Sequence, residues 1–157
     1  MLKKVLRVFL SMPAVILFYI PIILVLLEFG KISNPNNNWL RDTSAFILFW
    51  GGWFIWAWCF QLLRVQGEGM PLPNAPQPTT KLVREGPYRL VRNPMTMSLW
   101  AILFGEAIYF GSIALYGWTV LVAIVSIYYI LKIEEPKMLE QFGQRYMEYR
   151  ADVHRFL

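Results

Sequence analysis

Residues 95–131 read MTMSLWAILFGEAIYFGSIALYGWTVLVAIVSIYYIL: two apolar runs, Met95 to Phe110 and Ile113 to Leu131, joined only by Gly111-Ser112. Glu106 is the one charged side chain in the stretch. A bilayer core takes about 20 residues of apolar helix, and a two-residue connection leaves room only for a tight antiparallel hairpin. Working toward the amino terminus, Ala45 to Leu63 forms another run, with Trp50, Trp53, Trp56 and Trp58 and a Gly51-Gly52 pair that lets a neighbouring helix approach closely. The tryptophans read as packing or interfacial anchors. Val5 to Leu27 completes the set, interrupted by Arg7 near its start and by Pro13 and Pro21, which membrane helices tolerate as kinks. No small-x-small cleavage site follows that run, so it reads as a span.

Composition agrees. Hydrophobic residues make up 57% of the 157 positions and charged residues only 16%, against about 25% charged in soluble domains. The expected fold class is an all-α integral membrane protein, a single membrane domain over 1–157. It has four transmembrane helices (about 5–27, 45–63, 95–110 and 113–131), a cytoplasmic loop 64–94 and a cytoplasmic tail 132–157 containing an amphipathic helix. Four spans put the amino terminus, residues 64–94 and the tail on one side, and thirteen of the fifteen Lys and Arg lie there. The positive-inside bias makes that side cytoplasmic, as in a bacterial inner membrane, with both termini inside. The net charge of +5 is thereby explained as topology with some affinity for anionic headgroups, and nucleic acid is not an expected partner. Cys59 stands alone within an apolar run, which rules out an intramolecular disulfide and makes packing its expected role.

Polar chemistry gathers at two places. The first is Gly86-Pro87-Tyr88-Arg89-Leu90-Val91-Arg92-Asn93-Pro94-Met95, preceded by a proline-rich stretch, residues 67–78, that reads as a loop able to cover a site or as a passive tether. Asn93-Pro94 is a helix start, Asn as cap and Pro at the first helical position. The free N–H groups there, reinforced by Arg89 and Arg92, suit a carboxylate, a phosphate or a lipid headgroup. The second place is Glu134-Glu135-Pro136, where proline disfavours helical geometry in the residue before it and a bend is expected. The paired carboxylates can bind a cation, hydrogen-bond ribose hydroxyls, or pair with Arg89 and Arg92. Two glutamates and a distant His154 are too few ligands for a metal site, so none is expected. Leu139, Phe142, Tyr146, Tyr149 and Val153 recur at helical spacing and predict one amphipathic tail helix, weakened by Gly143. Glu106 lies about 18 Å along its helix from Pro94, which favours a structural or snorkelling role.

With these residues in view, the chain resembles the isoprenylcysteine carboxyl methyltransferase and phospholipid methyltransferase family of membrane enzymes, particularly its small bacterial members. The resemblance runs from about Pro73 to the end. It rests on Leu82-Val83, Gly86-Pro87-Tyr88-Arg89, Arg92-Asn93-Pro94-Met95, Glu134-Glu135-Pro136 and Phe142-Gly143, followed by Tyr146, Tyr149, Val153 and Arg155-Phe156. It implies S-adenosylmethionine as methyl donor, lined by Lys81, Leu82, Val83, Tyr88, Asn93, Pro94, Met95, Thr96 and Glu134. The implied acceptor is a lipophilic small molecule or membrane lipid, with Arg92 as candidate for positioning and acceptor orientation and Glu135 for acceptor-side polarity. Eukaryotic members carry His at the position of Asn93, usually Tyr at that of Thr96, and at that of Ile130 an arginine linked to the acceptor's carboxylate. These departures point away from prenylcysteine as acceptor. Two other expectations stand beside this one: a membrane reductase using NADPH, against which the acidic pair argues, and a non-catalytic scaffold.

Overall fold

The computed structural model describes residues 15–28, 38–68 and 79–156. Pro13, the first ten positions of the expected first span and most of the proline-rich loop lie outside them. Among the described residues the secondary structure is helical, with no strand beyond an isolated parallel bridge between Val91 and His154. A π turn Val15–Tyr19 leads into α1 (Ile20–Leu27); α2 is Trp39–Val65; a 3₁₀ turn Gly86–Arg89 precedes α3 (Pro94–Phe110). Then come α4 (Ile113–Tyr129), a second π turn Ile130–Glu134, α5 (Glu135–Phe142) and α6 (Gln144–Asp152).

Two helices, Trp39–Val65 and the continuous Ile113–Phe142, are long and apolar enough to cross a membrane, and only 11% and 17% of their most apolar windows are buried. A soluble core helix would be mostly covered. Phe46, Ile47, Trp50, Phe54, Ile124 and Val125 instead lie exposed, the arrangement that lipid as solvent requires. Val15–Leu27 and Pro94–Phe110 are apolar and shorter.

Pro136 does not bend the chain as expected. Glu135 is helical at φ −60°, ψ −42°, and its N–H donates to the Ile130 carbonyl five residues back. A π turn moves the carbonyl that the pyrrolidine ring would otherwise strike, so the helix absorbs the proline. Pro21 follows Val15–Tyr19 in the same relation. The tail corrects a second expectation: Gly143, at φ 53°, ψ −128°, separates α5 from α6 instead of merely weakening one helix. Tyr146 and Tyr149 are buried, but Leu139 is 40% exposed and Val153 is extended, so the expected stripe is not one continuous face.

The chain divides into two compact units, Met1–Gly51 with Leu99–Ile124, and Gly52–Ser98 with Val125–Leu157. In the first, α3 and α4 turn at Gly111, whose φ of 59° suits glycine, and Phe104 meets Tyr116 edge-on at 5.7 Å. Gly105 lies so close to α2 that a Cβ there would be 2.9 Å from the Ala45 carbonyl oxygen. The Glu28 carboxylate accepts from the Ser112 hydroxyl and, at 3.3 Å, from the Ala114 N–H, placing negative charge at the start of α4. Glu106 is partly buried, and its Oε2 has no hydrogen-bond partner among the described residues. The second unit holds both polar clusters.

Candidate functional site

Within the second unit, the segment from Lys81 to Pro94 is fixed from two sides. On one side it packs on α2: Cys59, Val83 and Tyr88 form a buried cluster with Leu62, Leu63 and Met95 against it. Gly86, at φ 58°, sits where a Cβ would be 2.8 Å from Leu62 Cδ1 and 3.2 Å from the Trp58 ring, so the close approach needs glycine. Gln66 Nε2 donates to Glu85 at 2.7 Å beside this contact. A shallow groove of about 230 Å³ lined by Trp58, Gln61, Leu62, Val65 and Gln66 runs along the same stretch of α2.

On the other side the tail holds the segment. Tyr149 donates its hydroxyl to the Tyr88 carbonyl at 2.7 Å, Gln141 Nε2 donates to the Thr79 carbonyl at 2.7 Å, and Arg84 donates to the Arg145 carbonyl. The Arg84 guanidinium also lies 5.4 Å from the centre of the Tyr149 ring. Burial raises the Tyr149 hydroxyl to about 12 and pushes that of Tyr88 further above its ordinary range, with Cys59 and Glu134 as the next causes for Tyr88. Both hydroxyls therefore stay protonated near neutral pH, Tyr149 as a donor to the loop and Tyr88 against the Cys59 thiol.

The two polar clusters meet at Glu135. Arg155 donates Nε to Oε1 at 2.8 Å and Nη2 to Oε2 at 2.9 Å, and Arg92 Nη1 is 3.3 Å from Oε1. The Arg92 and Glu135 side chains are 8% and 9% exposed. A buried carboxylate is tolerable only when paired and hydrogen-bonded, and this one is. Arg89, one of the two partners expected for the glutamates, is exposed, and Arg155 takes that place. Glu135 is thus the paired member of the two glutamates. Glu134 itself makes no hydrogen bond or ion pair among the described residues, although it lies close enough to Tyr88 and Glu135 for their charges to act on one another.

Arg92 is the complementary oddity: Nε and Nη1 are buried without a hydrogen-bond partner among the described residues. Its main-chain N–H donates to the His154 carbonyl at 2.8 Å. Asn93 does not use its side-chain amide as a helix cap; Nδ2 donates to the Arg155 carbonyl at 3.3 Å, while its own carbonyl starts the helix by accepting from Met97 N–H at 3.1 Å. Pro94 is buried and Thr96 half-buried at that helix start. Among the other residues named from sequence, Leu82 is half-buried, Val83 and Met95 belong to the Cys59 cluster, and Lys81 is exposed and paired with Glu68.

Sequence reasoning gave Arg155 no role. Its contacts are to residues 20 and 62 positions away, across an extended segment that has no periodicity to read. No group of three or more His, Cys, Asp or Glu able to hold a metal occurs among the described residues. Neither a curated protein nor a solved structure matches the chain. A family model described as phospholipid methyltransferase matches residues 40–145, which include both polar clusters and most of the helices. The chain therefore belongs to the phospholipid methyltransferase family, whose members are methyltransferases.

Proposed function

We propose that this protein transfers a methyl group from S-adenosylmethionine to a lipophilic acceptor at the cytoplasmic face of a membrane crossed by four helices. Family membership supports a lipid-like substrate. The observation that carries the donor assignment is a pair of polar groups incompletely matched among the described residues, beside one ion pair: the carboxylate of Glu134 and the buried guanidinium of Arg92, whose Nε and Nη1 lack hydrogen bonds. A buried guanidinium ordinarily finds partners, and it and the half-buried carboxylate of Glu134 would fit different parts of one zwitterionic nucleoside. Glu134 would accept hydrogen bonds from ribose hydroxyls or face a cationic centre. Arg92 and the N–H groups of Met95 and Thr96 would hold the carboxylate, helped by the helix dipole.

S-adenosylmethionine would supply the electrophilic methyl group. The chain's part is to align donor and acceptor and keep water out. Lys81, Leu82, Val83, Tyr88, Asn93, Pro94, Met95 and Thr96 are the remaining proposed lining, with Val83, Tyr88 and Met95 contributing the apolar wall from the Cys59 cluster. Arg92 thereby moves from the acceptor orientation expected of it to positioning of the donor, and Glu135 keeps the proposed acceptor-side polarity, acting through the charge it shares with two arginines. The groove along Trp58, Leu62 and Val65 suits an apolar acceptor tail. Both termini are proposed to be cytoplasmic, in a bacterial inner membrane, from the distribution of Lys and Arg.

Calorimetry on detergent-purified protein tests the donor site. Binding of S-adenosylmethionine by the wild type and its loss in Glu134→Ala are expected. No binding by the wild type, or unchanged binding by the variant, refutes the assignment, and binding of NADPH instead would favour a reductase. Mass spectrometry after incubation with deuterated-methyl donor and membrane lipid identifies the acceptor; donor binding without any labelled product would favour a scaffold.

A further inference from the structure

Residues 154–155 touch both halves of the proposed donor site. The His154 carbonyl accepts from Arg92 N–H at 2.8 Å and the Arg155 carbonyl from Asn93 Nδ2 at 3.3 Å, while the Arg155 side chain closes on both oxygens of Glu135 at 2.8 and 2.9 Å. A two-pronged guanidinium contact is directional, takes up one acceptor site on each carboxylate oxygen and offsets the carboxylate's charge, which weakens its pull on a second cation. Arg92 makes one ion contact, to Glu135 at 3.3 Å, and a side-chain hydrogen bond with Tyr146, while its buried Nε and Nη1 are free of hydrogen bonds among the described residues.

We infer that Arg155 is a positioning residue: by occupying Glu135 it keeps the buried Arg92 guanidinium available to the donor's carboxylate. The inference rests on the S-adenosylmethionine reading above and extends it to a residue with no contact to the donor. Without Arg155, Glu135 keeps Arg92 as its only ion contact among the described residues, with the Arg150 charge acting from further off, and it draws Arg92 into the hydrogen bonds that the donor's carboxylate would otherwise receive.

The test is equilibrium binding of S-adenosylmethionine and of its decarboxylated analogue to the full-length protein in detergent. Arg155→Met should weaken binding of the intact donor by about tenfold, roughly the worth of one charge-assisted hydrogen bond, and leave the analogue's affinity unchanged. Adding Glu135→Gln to Arg155→Met should restore much of the lost affinity, because the neutral amide competes weakly for Arg92. A merely structural arginine predicts the opposite, with both ligands weakened equally and the double variant no better. If Arg155→Met does not fold, Arg155→Lys keeps a charge without the fork and should still lose affinity selectively for the intact donor; wild-type affinity for both ligands would overturn the inference. Failure of the wild type to bind S-adenosylmethionine at all would instead defeat the underlying functional reading.

Discussion

Glu134 and Glu135 are adjacent in sequence and should respond oppositely to removal of their charge. Glu135→Ala leaves two guanidinium groups without their shared anion, one of them on a side chain only 8% exposed. Breaking a buried ion pair by deleting one member costs about 3–5 kcal/mol. The lower end applies here, because Arg155 is 29% exposed and can recover some hydration. Taking about 3 kcal/mol and about 2–4 °C per kcal/mol for a chain of this size, Tm should fall by roughly 6–12 °C. Glu134→Ala removes a carboxylate that has no partner among the described residues and that repels its neighbour. Its Tm should therefore stay within about 2 °C of the wild type or rise, since no partner among the described residues is lost, a change of about 0.5 kcal/mol, and the cost of partly burying the charge is relieved. Scanning fluorimetry of both variants in one detergent, without ligand, makes the comparison. Equal losses in the two, or a larger loss in Glu134→Ala, would refute the division between a paired carboxylate and one with no pair among the described residues.

Two further outcomes follow from the packing. Tyr149→Phe strands the Tyr88 carbonyl that its hydroxyl serves at 2.7 Å and should destabilise the protein by about 1–3 kcal/mol, measured by the same thermal assay; a neutral result would mean the tail does not hold the loop. Gly105→Ala places a Cβ 2.9 Å from α2 backbone atoms, which cannot swing aside as a side-chain tip can. The expected cost is about 1–3 kcal/mol, whereas Gly117→Ala, with open space around it, should be neutral or slightly stabilising in the same measurement.

Much of the helical plan is written locally. Trp39–Val65 and Ile113–Phe142 are apolar along most of their length, and the Gly111-Ser112 turn and the Asn93-Pro94 helix start lie where turn and proline chemistry put them. The helical passage through Pro136 is not legible locally, because the rule for the residue before proline takes no account of the π turn Ile130–Glu134 that relieves the clash. The break at Gly143 is illegible for the complementary reason: helix propensity counts glycine's entropy, but does not say that this glycine takes φ 53°, ψ −128° between α5 and α6.

The sequence by itself determined that apolar helices dominate, and it marked Arg92, Asn93, Glu134 and Glu135 as the places where polar chemistry concentrates, because hydrophobic length and residue type need no knowledge of neighbours. Only the tertiary structure decided which glutamate is paired and which has no pair among the described residues. That choice depends on Arg155 arriving from a distant extended segment with a guanidinium that can face one carboxylate in a two-pronged contact. No spacing rule encodes such a meeting, since it is fixed by the paths of the loop before α3 and the tail after α6 and by the energetic demand that a buried charge be paired.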